Sequence, residues 1–98
     1  VKIEGFRLKR ADEIEKMRAA GRVLGDCLAH LAATARPGLR VLDLDREAET
    51  FIRDHHCVPG FVGYNGFPNS LCVSINEQVV HGIPGERVIA DGDLVSLD

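Results

Sequence analysis

The sequence predicts an α+β fold in which two amphipathic helices precede short antiparallel strands. Three observations predict it. Apolar residues recur at helical spacing from Ile14 to Ala32, and again from Leu44 to His55. The stretch Arg36-Pro37-Gly38 interrupts the two periodic segments as a helix stop. After Pro59 the helical period ends, and short β-type runs bounded by Gly, Pro, Asn and Asp replace it.

The elements follow in order. Val1 to Lys9 forms an arm with Ile3, Phe6 and Leu8 as its apolar points. Asp12 is the expected cap of the first helix, with Glu15 completing a capping box. At about 100° per residue, Ile14, Met17, Leu24, Leu28, Leu31 and Ala32 share one face. Glu15, Arg18, Arg22, Asp26 and His30 share the other, and only Val23 is out of place. Gly21 and Gly25 lie in the apolar stripe. Each costs roughly 1 kcal/mol against Ala in a helix, so they suggest a close-packed neighbour.

The second helix is expected from Asp43 to His56, with Asp43 as its cap. Leu44, Ala48, Phe51, Ile52 and His55 form its apolar face, opposite Arg46, Glu49, Arg53 and His56. His55 and His56 therefore diverge and cannot chelate one metal together. Residues 60–70 read as a loop. Leu71 to Ile75 is a β-type run, Asn76-Glu77 turns the chain, and Val79-Val80 begins a return strand, predicting a hairpin. Pro84-Gly85 and Asp91-Gly92 are further turns before a final strand over residues 94–98.

At 98 residues the chain is one small domain at most, with no internal repeat. Its composition is that of a globular protein, 45% hydrophobic and 28% charged. A net charge of -3 gives no electrostatic reason to expect nucleic acid or an anionic membrane as partner. No apolar run approaches the roughly 18–20 residues of a membrane span, and no signal-peptide pattern opens the chain at Val1. Cys27, Cys57 and Cys72 are an odd count without zinc-ligand spacing, which favours reduced thiols. Cys27 and Cys57 read as fillers.

Gly60, Gly63 and Gly66 lack the lysine and following helix of a phosphate loop. Phe61, Tyr64 and Phe67 between them suit the wall of an apolar pocket. His81, entering a turn after Val79-Val80, and Asp98, closing the last strand, are candidates for chemistry, although each alone is weak evidence. Turn chemistry accounts for Asp91 and Asp93.

Longer blocks carry more weight. Gly63-Tyr64-Asn65-Gly66-Phe67-Pro68-Asn69-Ser70-Leu71-Cys72-Val73-Ser74-Ile75-Asn76-Glu77, then Val80-His81-Gly82-Ile83-Pro84, then Asp91-Gly92-Asp93-Leu94-Val95-Ser96-Leu97-Asp98, resemble the type I methionine aminopeptidases. Glu13 to Gly21 and Arg36-Pro37-Gly38 resemble that family's first helix and the turn after it. The resemblance covers nearly the whole chain, but only the N-terminal part of a family member. Residues 1–98 would thus be the N-terminal part of a single domain whose C-terminal half is absent. Two departures stand out. Val41-Leu42 replaces the usual capping Thr or Ser, and the zinc-binding extension of some eukaryotic members is missing, which favours a bacterial or organellar-like form.

The resemblance implies the pita-bread fold and removal of the N-terminal methionine from nascent chains. It implies two divalent metals (cobalt, manganese, iron or zinc) sharing a bridging hydroxide, a pairing that lowers the pKa of water and polarises a carbonyl. Asp98 matches the first carboxylate ligand. His81 matches the catalytic histidine that hydrogen-bonds the substrate amide, while Tyr64, Phe67 and Cys72, joined by Phe61, match the methionine pocket. Nascent N-termini, at the ribosome, would be the partners of a monomeric, cytoplasmic enzyme, with no nucleic acid or membrane. The family's other ligands, an aspartate, a histidine and two glutamates, lie beyond the position of Asp98, so the 98 residues alone are expected to be inactive. A proline-specific relative and a non-catalytic binding protein are the alternatives, and the Tyr64–Cys72 block argues against the first.

Overall fold

Helix α1 spans Ala11–Thr34 in the computed structural model, which describes residues 5–98. Ile3 of the expected arm lies outside the described residues; Phe6 and Leu8 are exposed. The helix begins two residues earlier than Asp12 as its cap would set it. Arg10 is the N-cap residue, and its backbone N–H donates to Glu13 Oε1 at 2.9 Å. Asp12 does not cap, because its carboxylate is turned back to the Arg10 guanidinium at 3.2 Å. The Arg7 guanidinium, then the Arg10 amide, hold the Glu13 carboxyl below the usual carboxylate range.

Only the second half of the α1 apolar stripe is covered. Leu31 is fully buried and Leu28 half-buried, whereas Ile14, Met17, Leu24 and Ala32 are exposed. Cys27 joins the core in their place. The reason is length. At 24 residues α1 is about 36 Å long, and the 14-residue helix beside it only about 21 Å. Nothing lies within 4 Å of a Cβ built on Gly21 or Gly25, so the close-packed neighbour expected there is absent among the described residues.

Helix α2 runs over Val41–Asp54, two residues earlier than expected at both ends. Its cap comes from distant chain rather than from Asp43. Val41 N–H donates to the Arg87 carbonyl at 2.8 Å and Leu42 N–H to the Gly85 carbonyl at 2.9 Å. These bonds satisfy helix-terminal amides that a local side chain would otherwise take. Asp43 instead accepts from the Arg40 guanidinium at 2.9 Å, and Arg40 also reaches Glu86 at 2.8 Å. At the other end, His56 takes the left-handed conformation, φ 59°, in which helices commonly stop. His55 stays on the apolar face and stacks on Phe51 with ring centroids 4.3 Å apart. The two imidazoles thus serve separate roles.

Strand β1, Val73–Ile75, pairs antiparallel with strand β2, Val95–Leu97, in the register Val73 with Leu97, Ser74 with Ser96 and Ile75 with Val95. The expected hairpin with Val79-Val80 does not form. The β1 edge it would occupy is already used: Ile75 N–H donates to Gln78 Oε1 at 3.0 Å, and Val73 N–H to the Gly82 carbonyl at 3.0 Å. Val79 and Val80 are left exposed. Leu71, Val73 and Ile75 point from the sheet onto Cys27 and Leu31 of α1 and Val41, Leu44 and Ala48 of α2, with Ile89 closing the core. Leu31, Leu44, Val73 and Ile75 are the largest fully buried side chains, each contributing about 1.5–3 kcal/mol.

Candidate active site

A cavity of about 390 Å³ opens beside β1, and the predicted pocket residues Phe61, Tyr64, Phe67, Cys72 and His81 all line it. Asn65, Gly66, Pro68 and Ile83 complete its wall. The loop that carries the aromatics is self-bonded. Gly63 N–H donates to the Phe67 carbonyl at 2.8 Å, and Phe67 N–H to the Tyr64 carbonyl at 2.9 Å. Gly63 and Gly66 have φ of 80° and 78°, a backbone that glycine adopts without Cβ strain. This tight turn sets Phe61 edge-on to Phe67, centroids 6.0 Å apart and planes at 76°, a favoured aromatic geometry.

His81 is brought to the same cavity by the segment that follows β1. Its φ is 59°, a left-handed conformation uncommon for a residue with a side chain. It persists because the next residue is pinned. Gly82 donates its N–H to Ser74 Oγ at 3.1 Å and accepts from Val73 N–H. A Cβ on Gly82 would stand 2.0 Å from the Val73 carbonyl oxygen, so only glycine permits this approach. A strained backbone held by its surroundings is common at functional sites.

Asp98 lies outside that cavity's lining but is tied to it through Cys72. Cys72 N–H donates to the Asp98 carbonyl at 2.8 Å, and Asp98 N–H to the Cys72 carbonyl at 3.0 Å. Such a reciprocal pair holds its Cα atoms about 5.5 Å apart. Burial, and next the Asp98 charge, push the Cys72 thiol above its ordinary pKa. The pocket therefore presents a neutral thiol rather than a thiolate. Asp98 also borders a smaller cavity of about 200 Å³ between the helices and Leu71.

No group of three or more His, Cys, Asp or Glu side chains able to hold a metal occurs among the described residues. Asp98 can offer one carboxylate, which does not cage a divalent ion. Cys27, Cys57 and Cys72 are free thiols, and burial raises the pKa of Cys27. Among the described residues no helix is long and apolar enough to cross a membrane.

Sequence reasoning missed Asn65, Pro68 and Ile83, although each lies within two positions of a residue it selected. It also missed Asp45. This carboxylate is 4% exposed and receives three donors, Ser70 N–H at 2.8 Å, Leu71 N–H at 2.9 Å and Asn69 Nδ2 at 3.0 Å. Helical periodicity put no weight on it, since its partners are 24 to 26 residues away.

The model of metallopeptidase family M24 matches residues 15–98. The chain belongs to metallopeptidase family M24. Within M24 it is 50% identical over 92 residues to the methionine aminopeptidase of Clostridium acetobutylicum, covering 93% of this chain and 37% of that protein. It is 46% identical over 91 residues to that of Helicobacter pylori, covering 93% and 36%. The crystal structure of the methionine aminopeptidase from Rickettsia prowazekii superposes with a TM-score of 0.90 at 34% identity, over 94% of this chain and 37% of that one. That from Thermotoga maritima gives 0.90 at 36% identity, over 93% and 37%. The architecture is thus that of the N-terminal portion of the pita-bread fold, and the chain spans little more than a third of the relatives it matches.

Proposed function

We propose that this chain is the methionine-pocket portion of a metal-dependent aminopeptidase that removes the N-terminal methionine from polypeptides. The carrying observation is the cavity itself. It gathers Phe61, Tyr64, Phe67, Cys72, His81 and Ile83 around one largely apolar space. An aromatic wall with a neutral thiol favours a flexible thioether through sulfur–aromatic contact. Residues 1–98 are, on this reading, the N-terminal part of a single catalytic domain acting on nascent N-termini in the cytoplasm; the methionine aminopeptidases named above support the activity.

Each residue then has a defined task. Phe61, Tyr64, Phe67 and Cys72 hold the methionine side chain and exclude water. His81, at the rim of the same cavity, donates a hydrogen bond to the scissile amide, and such a donor is worth most where charge develops. Asp98 contributes one carboxylate to a divalent pair, which supplies an activated water when bound. Among residues 5–98 no cluster of side chains completes such a pair.

The test is methionine release from a short peptide by a complete enzyme carrying this chain, with manganese or cobalt added. His81→Ala is expected to lower turnover at least about a hundredfold, with metal content unchanged. Normal turnover in that variant removes His81 from the mechanism. Equal release of lysine or proline from matched peptides overturns the methionine assignment.

A further inference from the structure

Helix α2 touches both chain segments that build the pocket. Its first turn binds the carbonyls of Gly85 and Arg87, just after His81 and Ile83. One turn further on, Asp45 binds the amides of Ser70 and Leu71, just before Cys72. Both of these amide bonds converge on one carboxylate oxygen, Oδ1, while Oδ2 accepts from Asn69. A buried carboxylate is costly unless fully hydrogen-bonded, and here it is. Hydrogen bonds to an ionised acceptor are roughly twice as strong as neutral ones.

The core alone does not call for this charge. Leu44 and Ala48 already bury α2 against the sheet, and an apolar residue at position 45 would satisfy packing while stranding two amides. The carboxylate's partners are all in the segment that ends the aromatic loop and leads into Cys72. Cys72 in turn is locked to Asp98 by the reciprocal pair at 2.8 and 3.0 Å.

We infer that Asp45 is a positioning residue for the pocket: it sets Cys72, and through it the backbone of Asp98, by holding the Ser70 and Leu71 amides. The methionine-binding consequence rests on the function proposed above; the positioning of Cys72 does not. Asp45→Ala removes all three acceptors. Asp45→Asn keeps one oxygen for the two amides, and Asn69 can turn its own oxygen toward the new amide group.

The experiment compares alkylation of Cys72 with that of Cys27 in one sample under native conditions, together with L-methionine binding followed by Tyr64 fluorescence. Cys27 is the reference thiol because it is buried in the core on α1 and makes no hydrogen bond to Asp45, whose donors are Asn69, Ser70 and Leu71. Asp45→Ala is expected to raise the Cys72-to-Cys27 ratio at least about tenfold and to weaken L-methionine binding by a similar factor. Asp45→Asn is expected to return both to within about threefold of the parent. Leu44→Ala, a core truncation, is expected to lower stability while leaving the ratio unchanged, because global unfolding exposes both thiols together. An unchanged ratio in folded Asp45→Ala, or an Asn variant as impaired as the Ala variant, overturns the inference.

Should Asp45→Ala fail to fold, amide exchange in Asp45→Ser, whose shorter side chain offers one oxygen in place of the two that accept from Ser70, Leu71 and Asn69, decides. Faster exchange at Ser70 and Leu71 than at Val73, whose N–H is held by Gly82, upholds the role, and an unchanged pattern overturns it. If the thiol ratio responds but the parent shows no effect of L-methionine, Asp45 positions the pocket and the methionine assignment is what fails.

Discussion

Replacing Gly82 with alanine is expected to unseat the segment that carries His81. The added Cβ would lie 2.0 Å from the Val73 carbonyl oxygen and 2.8 Å from its carbon. Real contacts of this kind are essentially never below 3.0 Å, and both atoms are backbone, so the strand or the loop must move. Either movement breaks two buried bonds, Val73 N–H to the Gly82 carbonyl and Gly82 N–H to Ser74 Oγ. Each is worth a net of about 0.5–1.5 kcal/mol, and a stranded buried amide costs about 1–3 kcal/mol more. The loss comes to roughly 2–6 kcal/mol. In urea, where slopes run at about 1–3 kcal/mol/M, a slope of about 2 kcal/mol/M lowers the midpoint by about 1–3 M. Gly85→Ala is the matched control, since nothing lies within 4 Å of its Cβ position, and its effect should stay near or below about 1 kcal/mol. The measurement is equilibrium unfolding of both variants beside the parent. Equal midpoints for Gly82→Ala and the parent would refute the close approach and the account of how His81 is held.

Two further predictions follow from the same geometry. Because burial and then the Asp98 charge raise the Cys72 pKa, its reaction with iodoacetamide should accelerate at higher pH than that of a free thiol, whose pKa is about 8.5. Asp98→Asn should move that profile part of the way back, and an unmoved profile would assign the shift to burial alone. The linked stability is full below the ordinary thiol pKa and declines as pH rises through the raised one. Gly25→Ala, at an open helical site, should stabilise the protein by about 0.5–1 kcal/mol; a loss read by thermal unfolding would restore the expectation of a close neighbour there.

Much of the site was legible in the linear sequence because its residues sit in one stretch. Phe61, Tyr64, Phe67 and Cys72 lie within twelve positions, and glycine-rich turn chemistry is local information. His81 and Asp98 came from the resemblance rather than from spacing. Asp45 was invisible for the opposite reason, since a buried carboxylate is recognised only when its distant donors are in place.

The sequence by itself determined the order of elements, the helical faces near Leu31, Leu44 and Ala48, and the aromatic loop. These follow from periodicity and turn preference, which act over a few residues. Tertiary structure decided the rest. It matched β1 with β2 instead of Val79-Val80, because Gln78 and Gly82 had already claimed the other edge. It capped α2 with the carbonyls of Gly85 and Arg87 and left Ile14, Met17 and Leu24 uncovered. Backbone groups must find partners wherever the fold supplies them, and that supply is set by contacts between residues far apart in the chain.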